Sequence, residues 1–355
     1  MNIDIAATLI AVLTFFGIYA LMAISLNLEY GVAGVPNFGQ ALFVSIGAYV
    51  TGVTYTRLLP ILAGTDVINP CGTGLGQALQ LRSDIMKSMP AVGFGNFLLT
   101  LLIAAIIGGL VGFFISYVTL RLKQEWYLAL VLLVGGEIVR IVVRGMDDLI
   151  CSHNGISGIA QPFAFIGEAR TSAVLFMLLV LAIALIAYWY SEKLIRSPYG
   201  RLLKALRENE NVTRSLGKRI SVARAQIMLI GSVIAAISGV LFAVNLGFVN
   251  TNDFVVTLTL DVWVMVVLGG LGNMRGALVG ALLITVMDRA TAILAIQMNM
   301  SGITLEFNYV RFILFGVILL LMLRYRPQGI LPEPTLTTTA HDVIQPSQTS
   351  KASDQ

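Results

Sequence analysis

Arg201, Lys204, Arg207, Glu208 and Asn209 stand together in one polar island, residues 197–219 (SPYGRLLKALRENENVTRSLGKR), within a chain that is apolar over most of its length. Charges at that density do the chemistry of contact: they hold anionic head groups or grip a protein partner. The other polar groups that could act are scattered through apolar runs: Asn27, Asn37, Gln40, Glu137, Arg140, Asn245, Asp261, Asp288 and Arg289. Glu137 and Arg140 are i,i+3 neighbours, the spacing of a structural ion pair on one helix. No G-x-x-x-x-G-K-[ST], nucleophile elbow, H-E-x-x-H or cysteine cluster occurs, so the sequence offers neither a nucleotide cradle nor a hydrolytic centre. Cys151 and His153 are too thin a donor set for a metal, and none is expected. No chain of carboxylates suggests a proton relay. What remains is recognition and passage.

The elements that must position these residues are membrane spans. The 355 residues are 57% hydrophobic and 12% charged, with a mean hydropathy of +0.85. No single soluble core hides that much apolar surface, so the fold class is an all-α, polytopic helical membrane protein. The net charge of +4 does not point to nucleic acid, because the basic residues gather beside apolar runs. A span needs about 20 apolar residues, and nine candidates meet or approach that: 5–28, 38–59, 92–120, 127–143, 172–190, 226–246, 255–271, 277–296 and 309–323. Eight to ten spans are expected. With no positive n-region before it, the first run is expected to stay as a span.

The loop 191–224 holds nine basic residues against three acids, which makes it cytoplasmic and places the N-terminus outside and the C-terminus inside. Loops 60–91 and 144–171 then face out. They carry the two cysteines, Cys71 and Cys151, and an extracytoplasmic disulfide is a hypothesis from their shared side. Residues 1–331 form the transmembrane domain, and 332–355, rich in Thr, Ser, Gln and Pro, read as a disordered tail.

Ser197 before Pro198 is a helix start and Gly217 before Lys218 and Arg219 a stop, so the island reads as mostly helix. Tyr199, Leu202, Leu203 and Leu206 share one face. Spacing leaves two readings open, a basic helix on anionic lipid or a helix gripped by a soluble partner. Two glycine clusters, Gly31 to Gly52 and LGGLGNMRGALVGALL, lie beside polar Asn37, Gln40 and Asn273. Small residues allow close packing, and they also allow helices to break beside a substrate path. The density of both clusters favours broken helices, with Asn37, Gln40, Gly270, Gly272 and Asn273 as pathway candidates.

Taken together, LNLEYGVAGVPNFGQALFVSIGAYVTG (26–52), YLALVLLVGGEIVRIV (127–142), NGISGI (154–159), SPYGRLLKALRENENVTRSLG (197–217), MVVLGGLGNMRGALVGALL (265–283) and RPQGIL (326–331) resemble the permease subunits of ABC importers for branched-chain amino acids. That family also includes permeases for urea and short-chain amides. The resemblance spans nearly the whole chain. It implies that 197–217, with Tyr199, Arg201, Lys204, Arg207, Glu208 and Asn209, is the segment docking to a cytoplasmic ATPase. It also implies a second permease subunit, an extracytoplasmic binding protein, and location in the inner membrane of a prokaryote. ATP and Mg would then belong to the ATPase, with no cofactor on this chain. The chain departs from the family at Gln40, where a histidine is common, and in a longer loop 60–90. The rival class is an ion-coupled carrier needing no ATPase.

Overall fold

The computed structural model describes residues 4–71, 74–119, 125–215, 217–300 and 307–334. Its long helices follow the apolar runs closely. They are α1 (Ile5–Leu26), α2 (Gln40–Val53), α5 (Pro90–Thr119), α6 (Glu125–Arg144), α8 (Ala169–Arg196), α11 (Ile220–Leu246), α12 (Val256–Gly269), α13 (Met274–Met300) and α14 (Phe307–Tyr325). Among the described residues seven helical segments are long and apolar enough to cross a membrane. The 20-residue α6 and the 19-residue α14 occupy the fourth and ninth expected runs.

Two spans carry π-helical turns, the first of them at the edge of the first glycine cluster. After Leu26, α1 widens into a π segment, Asn27–Val32, and an extended stretch then reverses the chain before α2 begins at Gln40. Such widening exposes backbone groups that other partners can use, and it concentrates at functional positions. At its far end α2 runs through a second π segment, Thr54–Leu58, into α3 (Leu59–Leu62).

The central helix is α11, which packs against α1, α2 and α5. Its face toward them is small and buried, with Gly231, Ser232, Ala235, Ala236, Ser238 and Gly239. Short side chains let backbones approach closely, which is how helices adhere in lipid without a hydrophobic driving force. The flanking helices α5 and α8 leave Phe113, Phe114, Leu185 and Ile186 exposed, as expected of faces turned to lipid.

The ends of the bundle differ in character. At one end lie α4 (Leu75–Ser88), α7 (Asp147–Ile150) and a two-residue antiparallel pairing of β1 (Ile156–Ser157) with β2 (Phe248–Val249). Loops 60–91 and 144–171 therefore contain structure of their own. Cys71 and Cys151 are bonded to each other there, with Cα atoms 5.3 Å apart. That bond takes Cys151 out of any metal set, and the neighbouring His153 Nδ1 lies 3.0 Å from the Ser152 hydroxyl. At the other end lie α9 (Pro198–Glu208), α10 (Glu210–Ser215) and the segment after α14.

Candidate functional site

The island folds as two helices, which corrects the expectation of one. Ser197 caps α9 as its spacing predicts, its hydroxyl accepting from Gly200 N at 3.3 Å, with Pro198 in the first turn. The break falls at Asn209, whose backbone is extended (φ −157°, ψ 106°). Its side-chain oxygen accepts from Val212 N at 3.1 Å. An asparagine able to cap the next helix competes with continuing the present one.

Leu203 and Leu206 on α9 are buried. The Tyr199 hydroxyl donates to the Ala223 carbonyl in the first turn of α11 at 3.0 Å. Burial pushes that phenol up to about 12, so it stays a donor at physiological pH. Arg201, Glu208 and Asn209 are exposed.

Lys204 and Arg207 are both paired within the chain. Lys204 pairs with Glu333 at 2.7 Å, and Arg207 pairs with the other oxygen of the same carboxylate at 2.6 Å. The second terminal nitrogen of Arg207 donates to the Gly31 carbonyl, in the π segment of α1. Glu333 belongs to the stretch that composition assigned to a disordered tail, and the described residues place it, with Pro332, against the bundle. Residues 335–355 of that expected tail lie outside the described residues.

The second glycine cluster lies at this same end. Gly270 (φ 124°) and Gly272 (φ 77°) adopt backbone shapes that L side chains resist, turning α12 into α13. A Cβ on Gly272 would fall 2.7 Å from Glu333 Oε2 and 2.9 Å from Arg207 Nη1. Asn27 staples the turn to α1: its side-chain oxygen accepts from Gly272 N at 2.9 Å, and its amide donates to the Asn273 carbonyl at 3.0 Å. Asn273 caps α13 through Arg275 N, 3.0 Å away, and donates to the Pro332 carbonyl at 2.9 Å. Ile330 and Leu331 add backbone bonds to Leu268 and Gly269, both 2.9 Å. Gly270, Gly272 and Asn273, the pathway candidates of this cluster, lie together at this turn. They form a socket filled by Arg207 and the chain's own residues 328–333.

Asn37 and Gln40 lie deeper and are fully buried. Asn37 donates to Glu29 Oε2 at 2.6 Å and to Gln40 Oε1 at 3.2 Å. Gln40 donates to the Ser25 hydroxyl at 3.0 Å, which donates in turn to the Gly231 carbonyl of α11 at 2.8 Å. The network ties the α1–α2 reversal to the central helix. Glu29 is its one ionisable member, and sequence reasoning missed it. Its carboxylate is fully buried, fits where Gly231 lacks a side chain, and leaves Oε1 without a partner. In the sequence it stands two residues before Gly31, inside the glycine-rich 26–52 stretch. Outside this site, Glu137 and Arg140 form the expected i,i+3 pair at 2.7 Å, apart from α9 on α6.

A bundle of membrane-length helices, broken at two glycine-rich turns that one amphipathic surface helix touches, is a polytopic helical membrane protein. The sequence model of one family, described as "Branched-chain amino acid transport system / permease component", matches residues 8–323, and the chain belongs to that family. It is 36% identical over 350 residues, 95% of this chain and 96% of the relative, to the protein of Methanocaldococcus jannaschii named "Probable branched-chain amino acid transport permease protein LivM". It is 29% identical to the "High-affinity branched-chain amino acid transport system permease protein LivM" of Escherichia coli, over 89% of this chain and 68% of that one. It is also 26% identical to the "Ribose import permease protein RbsC" of Haemophilus influenzae, over 83% of this chain and 90% of that one. No solved structure matches.

Proposed function

We infer that this chain is the permease subunit of an ATP-driven importer of branched-chain amino acids, working by alternating access in a prokaryotic inner membrane. The observation that carries the reading is the bond from Arg207 on α9 to the Gly31 carbonyl. It gives a surface helix a direct hold on the widened turn between α1 and α2. A helix that moved with a partner would move that turn. The motor is a separate ATPase pair that binds ATP and Mg and docks through Arg201, Glu208 and Asn209, exposed polar positions of α9 and its C-cap. A second permease subunit completes the path, and an extracytoplasmic binding protein delivers substrate to the end that carries the disulfide. The N-terminus is outside and the C-terminus cytoplasmic. The names and coverage of the relatives support the substrate class.

A second reading, an ion-coupled carrier, draws on one observation: Glu29 is a buried carboxylate in a span with one oxygen unpartnered, a common trait of ion-coupled proteins. Gentle purification of the tagged chain from its native membrane decides between them. A P-loop ATPase that accompanies the wild type and is lost on Arg201→Glu supports the importer and the docking surface. A monodisperse wild-type preparation without any ATPase hands the lead to the carrier.

A further inference from the structure

A cavity of about 480 Å³ opens where α8 ends, between α9 and the start of α13. Glu192, Arg196, Arg201, Lys204, Asn273 and Arg275 are among the residues that line it. The acids within reach do not balance the bases. Glu192 is held by Arg196 at 3.1 Å and Glu333 holds Lys204 at 2.7 Å, while the Arg201 and Arg275 guanidinium groups have no partner among the described residues. Two cations are left facing a space within the roughly 300–1,000 Å³ range of small-molecule sites.

The level of the cavity is marked by α8 itself. Its apolar run ends at Trp189 and Tyr190, which are 63% and 45% exposed, and Lys193 sits over the Trp189 ring at 5.1 Å. Exposed tryptophan and tyrosine at the end of an apolar run mark the head-group layer of a bilayer. Glu192 and Arg196 follow within two turns, so the mouth opens at the depth of lipid phosphates. A basic pocket between spans at that depth suits an anionic head group.

We propose that this cavity is a binding site for the phosphate of an anionic phospholipid, held chiefly by Arg275 and by the terminal nitrogens of Arg196, whose Nε alone is bonded to Glu192. A lipid seated there bridges the end of α8, the surface helix α9 and the first turn of α13. The proposal stands independently of what the protein transports.

The test titrates the purified full chain in mild detergent with phosphatidylglycerol, phosphatidylcholine and inorganic phosphate, followed by native mass spectrometry. Phosphatidylglycerol is expected to be retained in preference to phosphatidylcholine. Arg196→Gln and Arg275→Gln are each expected to weaken it about five-fold and the pair about twenty-five-fold. An Arg196→Lys and Arg275→Lys pair keeps most of the binding, which separates lost charge from misfolding, and Arg170→Gln at the opposite end changes nothing. Equal retention of the two lipids, or wild-type retention by the glutamine pair, would overturn the proposal. So would occupancy by inorganic phosphate with no lipid held. Loss of a co-purifying ATPase by the glutamine pair with lipid retention unchanged would assign the cations to a protein partner instead.

Discussion

Arg207 donates one hydrogen bond to the Gly31 carbonyl and forms an ion pair with Glu333 at 2.6 Å, so a single guanidinium joins the surface helix, the turn after α1 and the segment after α14. Of the groups on α9 that touch other elements, this one reaches the widened backbone of a span.

Removing that side chain should therefore separate hydrolysis from transport. Arg207→Gln forfeits a charge-assisted contact of roughly 2 kcal/mol but leaves Arg201, Glu208 and Asn209 in place. In the reconstituted complex ATP hydrolysis should stay within about two-fold of wild type while uptake falls at least ten-fold, since lost coupling of that size is worth more than 1.4 kcal/mol. A parallel fall in both rates would show that Arg207 serves docking instead.

Glu333 holds two cations, Lys204 with a side chain 12% exposed and Arg207 at 26%. Glu333→Gln strands both charges in partly buried positions, at a cost of about 1 to 3 kcal/mol. The thermal midpoint in detergent should drop by several degrees. Truncation after Pro334 should be tolerated, whereas truncation after Arg326 should lose as much stability as Glu333→Gln or more. Equal midpoints for the two truncations would show that residues 327–334 contribute nothing.

Glu29 separates a structural carboxylate from a titrating one. Glu29→Gln keeps an acceptor for Asn37, and ATP-driven uptake should remain within about two-fold, a change under 1 kcal/mol. Gly231→Ala, by contrast, puts a methyl group into the Glu29 carboxylate and 2.6 Å from its Cγ, which should cost roughly 1–3 kcal/mol of stability. Loss of uptake in Glu29→Gln with unchanged stability would favour proton coupling.

The Cys71–Cys151 bond closes a separation of 80 residues, worth up to about 4 kcal/mol if it acts by restricting the unfolded chain. Alkylation should add mass only after reduction, and Cys71→Ser should lower the thermal midpoint. Labelling of the unreduced protein would contradict the pairing.

Much of this architecture is written locally. Apolar runs mark the spans to within a few residues, because a bilayer demands continuous hydrophobicity. Ser197, Pro198 and the leucine spacing mark α9, because capping and periodicity act over a turn or two. What escapes is contact between distant segments. A helical wheel turns Lys204 and Arg207 away from the apolar face correctly, yet nothing near them announces that Glu333, 126 residues beyond Arg207, covers that polar side. Glycine density reveals the breaks at Gly270 and Gly272, but which end of the bundle they occupy depends on Asn27, 245 residues away. Glu29 at the end of an apolar run looks like an interfacial acid. Only its fit against Gly231 of α11 shows it buried.

ATP hydrolysed on a separate chain is proposed to drive uptake through this permease. Reconstituting the complete complex in proteoliposomes, with ion gradients collapsed by ionophore, and following leucine uptake with and without ATP tests it directly. Uptake should need ATP and the binding protein and ignore the ionophore. Uptake that persists without ATP and vanishes when the ion gradient is collapsed would contradict it.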